Sequence, residues 1–538
     1  MSLQTVPRII TSRGYAILKS TLSDEQTAYL RKELTVAPKV VEKFATANLS
    51  FPIYLESSTR FYVPRQWGIE QYGEPEANIV SDGLDLSEGV EFIGTPYPYQ
   101  ETIIDTFIDK GANGLICVPC GRGKTFMALC AAVTIGKRFL IVVDKEFLAN
   151  QWKGEIERYI RGARVGTLQG SVQQIGNEII TDKEYTIPEL KQMARDAGLK
   201  VGGTREALKQ RLMDAGIDIT PKSKQVDYDI TICMLQTVCQ RDFPPGTFDD
   251  YGLTIFDECH HLGAQHFSRV MTKIQTQWQL GLSATPDRDD GLTKVFEYFL
   301  GRPVYQERTR EPDPTVEVEA FWYTDSDPTY AEPPVNWRGE VVTARLMTQV
   351  VECKRRTQQV VDRLEQLASN SLRKILILSE RRKHLEELHD DPKLARFTRG
   401  YYIGGMRQDI LDRNAETCQI LFATYAMASE AMNIKALNAM IMASPRKKVE
   451  QSTGRILRIR PEHRQVEPLI IDVIDQHDMY QNQWYQRAKY YKQCKYTVRH
   501  VNKPKNTLKD RKKQDQVLGG DQCMIAINTV VEPDAPTI

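Results

Sequence analysis

The 538-residue chain has no apolar run approaching the roughly 20 residues that a membrane-spanning helix needs, so a membrane protein is not expected. Its first residues, Met1, Ser2, Leu3 and Gln4, are not a basic stretch followed by an apolar core, and no secretory leader is read there. A soluble, intracellular protein in a reducing compartment is the expectation. The ten cysteines are scattered rather than paired, which argues against a disulfide framework. Cys117 and Cys120 alone have the spacing of a redox or zinc pair, and with no second such pair they also read as small residues at a strand end. Charge of one sign is missing too. With 71 basic and 70 acidic residues the net charge is +1, so any polyanion must be met by local patches.

What is present is a large globular composition, 41% hydrophobic and 26% charged, in a chain long enough for about three or four units. Residues 1–95 mix short apolar runs with Pro38, Pro52, Pro64 and Pro75 and read as a small N-terminal α+β accessory domain. From Pro96 the pattern becomes α/β. A buried strand at 115–118 runs into a glycine loop, a helix follows at 126–133, and further strands fall at 139–143, 230–234 and 253–256. Short continuous apolar strands between helices predict a parallel, doubly wound sheet over 96–305.

Residues 180–222 break that rhythm with an inserted helical hairpin. Thr186 caps its first helix, Glu189 completes the box, and Leu190, Met193, Ala194 and Ala197 form one apolar stripe ended by Gly198. Thr204 starts the second helix, with Leu208 and Leu212 inward. The proline-rich stretch 306–345 reads as a connection containing a strand at 316–322. A second α/β unit over 346–498 has strands at 375–378, 420–423, 439–442 and 469–473. The tail 499–538, basic at Lys503, Lys505, Lys509 and Arg511, is expected to be mobile.

The chemistry starts at Cys120, Gly121, Arg122, Gly123, Lys124 and Thr125. Such a loop lets backbone N–H groups surround phosphates, with Lys124 on the β and γ phosphates and the Thr125 hydroxyl on Mg²⁺. Val118 stands where the strict form of this loop has its first glycine. Asp257 and Glu258 follow an apolar strand. Asp257 is read as a Mg²⁺ ligand, directly or through water, and Glu258 as the base that orients the attacking water; an exposed acidic turn is the plainer alternative. His260, with Cys259, His261 and His266, leaves zinc open, or links the nucleotide site to Ser283, Ala284 and Thr285. Arg455 and Arg458, three apart, are candidate arginine fingers on one helix face, or a solvated face.

On these residues the chain resembles the superfamily 2 DExH-box helicases, in the XPB-like and UvsW-like branch and in the style of helicases of large cytoplasmic DNA viruses, including the poxvirus transcript-release type. The likeness spans roughly 96–498. It implies two RecA-like P-loop domains with ATP and Mg²⁺ as cofactors, Gln100 reading adenine, and Gln451 beside Arg455 and Arg458 in the catalytic set. Gln236, Thr237 and Thr424 would touch the nucleic-acid backbone. In the segment 424–434 the family usually has glycine and aspartate where this chain has Ala431 and Asn433, which puts coupling of ATP to nucleic acid in question; the lost carboxylate acceptor is worth roughly 1.5 to 3 kcal/mol.

The hairpin resembles a SAP module, in which Lys191, Lys200, Arg205, Lys209 and Arg211 would meet duplex DNA, unless it is a packing insertion with solvated lysines. The tract Trp484, Tyr485, Arg487, Lys489, Tyr490, Tyr491, Lys492 either stacks and tracks a strand or packs the last helix. The expected function is an ATP-dependent helicase or translocase on duplex or branched DNA, in strand separation, branch remodelling, repair or transcript release. A duplex translocase that does not unwind, and an ATP-binding DNA scaffold with weak turnover, are the alternatives. RNA or an RNA–DNA hybrid, the transcription machinery, a monomeric state and, for a viral protein, the host cytoplasm, viral factory or virion, otherwise the nucleus or bacterial cytoplasm, complete the expectations.

Overall fold

The computed structural model describes residues 5–38, 50–119, 121–181, 186–217, 223–259, 264–284, 291–307, 312–430, 432, 434, 436–457, 459 and 461–510, and of 178–181, 223–225, 264, 429, 430 and 451 the backbone alone. The chain divides into two compact units, one made of residues up to 306 apart from 118–123, the other of 118–123 with residues from 307 onward. Among the described residues no helix is long and apolar enough to cross a membrane.

The first unit is built on an eight-stranded sheet in the order Val172–Gln173, Val165–Gln169, Ile230–Met234, Phe139–Val143, Leu253–Phe256, Trp278–Ser283, Asn113–Cys117, Pro303–Gln306. Every pairing is parallel except that of Val172–Gln173 with its neighbour. All five residues of Phe139–Val143 and of Ile230–Met234 are buried, because helices cover both faces of a parallel sheet and leave no side of the strand for water. Register lines up the carboxyl ends: Val142 lies opposite Phe256, Phe256 opposite Gly281, and Ser283 opposite Cys117. Residues that follow these strands therefore share one edge.

The N-terminal segment forms a five-stranded mixed sheet in the order Leu55–Glu56, Arg60–Val63, Gly14–Leu18, Arg8–Thr11, Ala77–Asn78. Its helix Asp24–Glu33 begins at a capping box, with Gln26 N–H donating to Ser23 Oγ (3.2 Å) and Ser23 N–H to Gln26 Oε1 (2.9 Å). This sheet shares one apolar core with the α/β sheet: Tyr15, Phe61 and Trp67 pack in the same cluster as Phe296 and Phe299. Arg65 is 3% exposed and donates to the carbonyls of Gln277 (2.9 Å) and Thr276 (3.0 Å), and burial lowers its pKa to about 10.

The inserted hairpin leaves the sheet on a two-stranded antiparallel stalk, Asn177–Thr181 with Ser223–Asp227. Its helices are Ile187–Asp196 and Arg205–Asp214, and Leu190, Ala194, Leu208 and Leu212 are fully buried between them. Ala197 is exposed and caps the first helix instead of continuing its apolar stripe, because Gly198 turns the chain at φ 69° one residue later.

The second unit is a seven-stranded parallel sheet in the order Arg399–Tyr402, Ile420–Thr424, Ile375–Ser379, Ala439–Met442, Leu469–Asp475, Glu317–Tyr323, Thr497–Val501. Glu317–Tyr323 comes from the stretch expected to be a connection and Thr497–Val501 overlaps the expected tail; both are full members of the sheet. With the first sheet, this architecture is consistent with tandem RecA-like units.

Of the ion pairs that tie helices to this sheet among the described residues, two are buried on both sides. Asp472 and Asp475 sit three apart on one strand, so they point to opposite faces. Arg487 meets Asp472 bidentately (2.7 and 2.8 Å), and Arg356 meets Asp475 (2.5 and 2.9 Å), all four fully buried. Tyr491 and Tyr330 donate to the same carboxylates (3.0 and 2.7 Å). Of the two readings of the aromatic and basic tract the structure gives the packing one: Trp484, Tyr490, Tyr491 and Arg487 are buried in the helix Asp478–Gln493, while Lys489, Lys492 and Lys495 face solvent.

Breaking a buried pair from one side strands the other charge. Arg487→Leu is expected to cost about 3–5 kcal/mol in urea unfolding, and adding Asp472→Leu to recover most of it. His384, 2% exposed with Nδ1 at 3.0 Å from Ser379 Oγ, has its pKa lowered from 6.5 to about 3 by burial and then by Arg356. The folded protein keeps this ring neutral, so its stability is full above pH 6.5 and is lost as pH falls from 6.5 toward 3, at up to about 1.4 kcal/mol per pH unit. Between pH 7 and 5 the unfolding free energy of His384→Gln should fall less steeply than that of the parent.

Candidate nucleotide site and nucleic-acid interface

At the carboxyl edge of the first sheet the strand Asn113–Cys117 is joined to the helix Lys124–Ile135 by the loop 118–123. Gly121 and Gly123 have φ of 88° and 80°, a left-handed backbone that side chains with a Cβ rarely adopt, and this turn starts the helix at Lys124. Helix N-terminal N–H groups point at the same place, which suits a phosphate. Arg122 is bound bidentately to Glu307 (3.0 and 2.9 Å). Cys120 lies outside the described residues.

The apolar strand Leu253–Phe256 ends at Asp257 and Glu258. Asp257 is buried, accepting the Trp152 indole N–H (2.8 Å) on one oxygen and the Glu258 amide (2.9 Å) on the other. Its pKa is raised to about 6, by burial first and by the adjacent Glu258 charge second. Glu258 receives the Lys124 ammonium at 2.8 Å and the Ala284 amide at 3.4 Å. Glu258 sits at φ 42°, a strained conformation for a residue with a Cβ, and such strain recurs at functional sites. Ser283, at the end of its strand, is buried. Lys124, Asp257, Glu258 and Ala284 are thus brought together; His260 and Thr285 lie outside the described residues.

These residues fit a magnesium-bound nucleoside triphosphate. A loop turned by two left-handed glycines, one lysine and a desolvated carboxylate that a cation would recharge are the donor set such a ligand needs. Thr125, on the first turn of the helix, is half-buried beside them. Gln100 is 4% exposed, and its Oε1 accepts the Tyr97 amide (3.0 Å), so this oxygen caps its own helix Pro98–Asp109.

Gln236 and Thr237 follow the strand Ile230–Met234 on the same edge. Gln236 Nε2 donates to the Asp144 carbonyl (2.7 Å), and Thr237 Oγ1 accepts the Gly170 amide (3.0 Å), so both are tied to neighbouring loops. In the hairpin Lys200 is exposed and Arg205 and Lys209 are half-buried, whereas Arg211 donates to the carbonyls of Lys200 and Gly202 and holds the interhelix loop.

In the second unit Thr424 ends a strand, and the helix Tyr425–Glu430 follows. Arg455 is not on a continuous α-helix as expected: Glu450–Thr453, which carries Gln451, gives way to a tighter turn at Gly454–Ile456. The Arg455 guanidinium donates to the carbonyls of Ala428 (2.6 Å) and Met432 (2.9 Å). Ala431, Asn433 and Arg458 lie outside the described residues.

Trp152 ends the stretch 143–152 that resembles a helicase motif, but its hydrogen bond to Asp257, 105 residues away, has no local signal. Glu307 is 185 residues from its partner Arg122 with no periodicity to connect them.

Residues 93–288 match a family described as "Type III restriction enzyme, res subunit". The "Putative ATP-dependent RNA helicase L396" of Acanthamoeba polyphaga mimivirus is 28% identical over 544 residues, covering 98% of this chain and 92% of that protein. The "DNA 3'-5' translocase XPB2" of Sulfurisphaera tokodaii is 26% identical over 299 residues, which span 56% of this chain and 46% of that relative. Among solved structures, that of T4 UvsW matches with 15% identity and a TM-score of 0.32, covering 89% of this chain and 96% of UvsW. The sequence matches relate the chain to superfamily 2 helicases and translocases driven by ATP.

Because Glu258 is held at positive φ, glycine at this position releases backbone strain that alanine retains. Glu258→Gly is expected to unfold about 1 kcal/mol later than Glu258→Ala in a thermal or urea melt, although both lose the Lys124 ion pair.

Proposed function

We propose that this relative of the superfamily 2 helicases is an ATP hydrolase that couples turnover to movement along, or separation of, nucleic acid, with DNA as its substrate. The reading is carried by the ion pair between Lys124 and Glu258 at the carboxyl edge of a parallel sheet, beside buried Asp257. Bound ATP supplies the scissile phosphoanhydride, and its Mg²⁺ neutralises phosphate charge. Lys124 then transfers its ammonium from Glu258 to phosphate oxygens. Glu258, freed from the lysine, accepts hydrogen bonds from the attacking water and aligns it. Asp257, fixed by Trp152, and Thr125 would hold the Mg²⁺ that accompanies the nucleotide. Gln236 and Thr237, on the same edge, place a strand's backbone within reach of these changes. Gln451, Arg455 and Arg458 are assigned to the same cycle as the second unit's contribution, with His260, Ser283, Ala284 and Thr285 linking the two tasks.

The mimivirus relative is named for RNA and the archaeal one for DNA, so the choice of DNA rests on the SAP-like hairpin with Lys200, Arg205 and Lys209. The competing reading is an ATP-holding scaffold with weak turnover, favoured by Arg455 being bound to carbonyls of its own unit. Phosphate release from Mg-ATP, measured at fixed salt with duplex DNA, branched DNA or duplex RNA, separates them. Stimulation by DNA above RNA is expected, and Glu258→Gln should lose about 10²- to 10⁴-fold in rate while still binding ATP. Tight ATP binding with no stimulated release on any nucleic acid would leave the scaffold.

A further inference from the structure

Between the strand Glu317–Tyr323 and the helix Thr343–Glu352 the chain makes a short excursion closed by an antiparallel bridge between Val335 and Val341. At its tip Trp337 is 85% exposed, whereas Trp67, Trp152, Trp322 and Trp484 are 1–3% exposed. Leaving an indole in water forfeits the burial that usually decides where this side chain goes. Nothing loose accounts for it.

The excursion is cross-tied by its own backbone. Asn336 N–H donates to the Glu340 carbonyl (2.8 Å), Gly339 N–H to the Asn336 carbonyl (2.9 Å) and Val342 N–H to the Pro334 carbonyl (2.8 Å). The Asn336 side-chain oxygen accepts both the Arg338 amide (2.9 Å) and the Glu340 amide (3.0 Å), and its amino group donates to the Glu340 carboxylate (3.1 Å). Gly339 makes the turn at φ 75°. The Arg338 guanidinium lies over the indole, 4.3 Å from the ring centroid. Arg338, and Arg345 on the first turn of the following helix, form no ion pair among the described residues.

We propose that Trp337 and Arg338 form a stacking tip that receives an unpaired base of a nucleic-acid strand, with Arg338 available to its phosphate. The assignment rests on the nucleic-acid reading above and deepens it. An indole presents a flat face that every base can stack on, and a guanidinium beside it adds a second planar cation and a phosphate partner. A protein-docking face of standard size needs about 800 Å² on each partner with an apolar centre, and a single ring covered on one side by the Arg338 guanidinium suits a polyanion better. The tip is held ready, so stacking requires no ordering of the loop.

The test uses the full chain and a fluorescently labelled single-stranded 20-mer of DNA or RNA, with a blunt duplex as control. Trp337→Ala is expected to weaken single-strand binding about 5- to 150-fold while Trp337→Phe keeps most of it, with duplex binding nearly unchanged. The ring is exposed, so the thermal midpoint of both variants should equal the parent's. Oligonucleotide should also shield indole fluorescence from acrylamide in the parent and do so less in Trp337→Phe. Single-strand binding by Trp337→Ala equal to the parent's overturns the proposal and leaves the motor reading standing. A parent chain that binds no nucleic acid overturns both. Unchanged oligonucleotide binding with a loss of self-association in sedimentation would assign the tip to a protein contact instead.

Discussion

The contact between Lys124 and Glu258 governs the chemistry available to the first unit. One ammonium serves two neighbouring carboxylates in a place where burial already disfavours the charge on Asp257. A ligand that takes the lysine leaves Asp257 without its nearest positive charge, and a magnesium-bound phosphate chain is one that would bring a replacement. The left-handed backbone at Glu258 and the indole on Asp257 fix where both carboxylates sit at the strand end.

The second unit is organised by two aspartates on one strand. Arg487 and Arg356 reach Asp472 and Asp475 from opposite faces, and each also donates to a carbonyl of the loop after Ala439–Met442, at Arg446 and Ala443. This loop leads into the helix Glu450–Thr453 and then to Arg455. Arg455 in turn holds Ala428 and Met432, so the two segments that sequence reading treated as separate motifs are joined by hydrogen bonds. The buried charges that fix the sheet thus also fix the base from which those motifs extend.

Strands were legible wherever burial on both faces makes the apolar run continuous, as at Phe139–Val143 and Ala439–Met442, whose limits match those read from sequence. The hairpin was legible because capping is local: Thr186, Glu189, Gly198 and Thr204 lie within a few residues of what they stabilise. Ala197 shows where periodicity stops being informative, one residue before a turn. The tract around Tyr490 offered two readings because aromatic and basic residues serve a packed helix or a bound strand alike; Asp472, which decides between them, is 15 residues from Arg487 and looked like part of an apolar strand. Edge strands such as Thr497–Val501 were hidden by their polarity, since only an edge can expose such residues and still pair.

The insertion shows how a sheet tolerates a guest. Its core is small, four fully buried side chains with Met193, Leu199, Val201 and Ile217 partly buried against them, and a core of this size needs help to hold two helices in place. The help is local: the Thr186 amide and hydroxyl both donate to Glu189 (2.7 Å each), Thr204 accepts the Ala207 amide (3.3 Å), and Arg211 ties the loop between the helices. Its entering and leaving strands pair with each other, from Asn177 opposite Asp227 to Thr181 opposite Ser223, and not with the main sheet. The host sheet keeps its own neighbours, Val165–Gln169 beside Ile230–Met234, across the point of insertion. Among the described residues no parallel strand pair depends on the guest, so the carboxyl edge of the host sheet keeps its register whatever the hairpin carries.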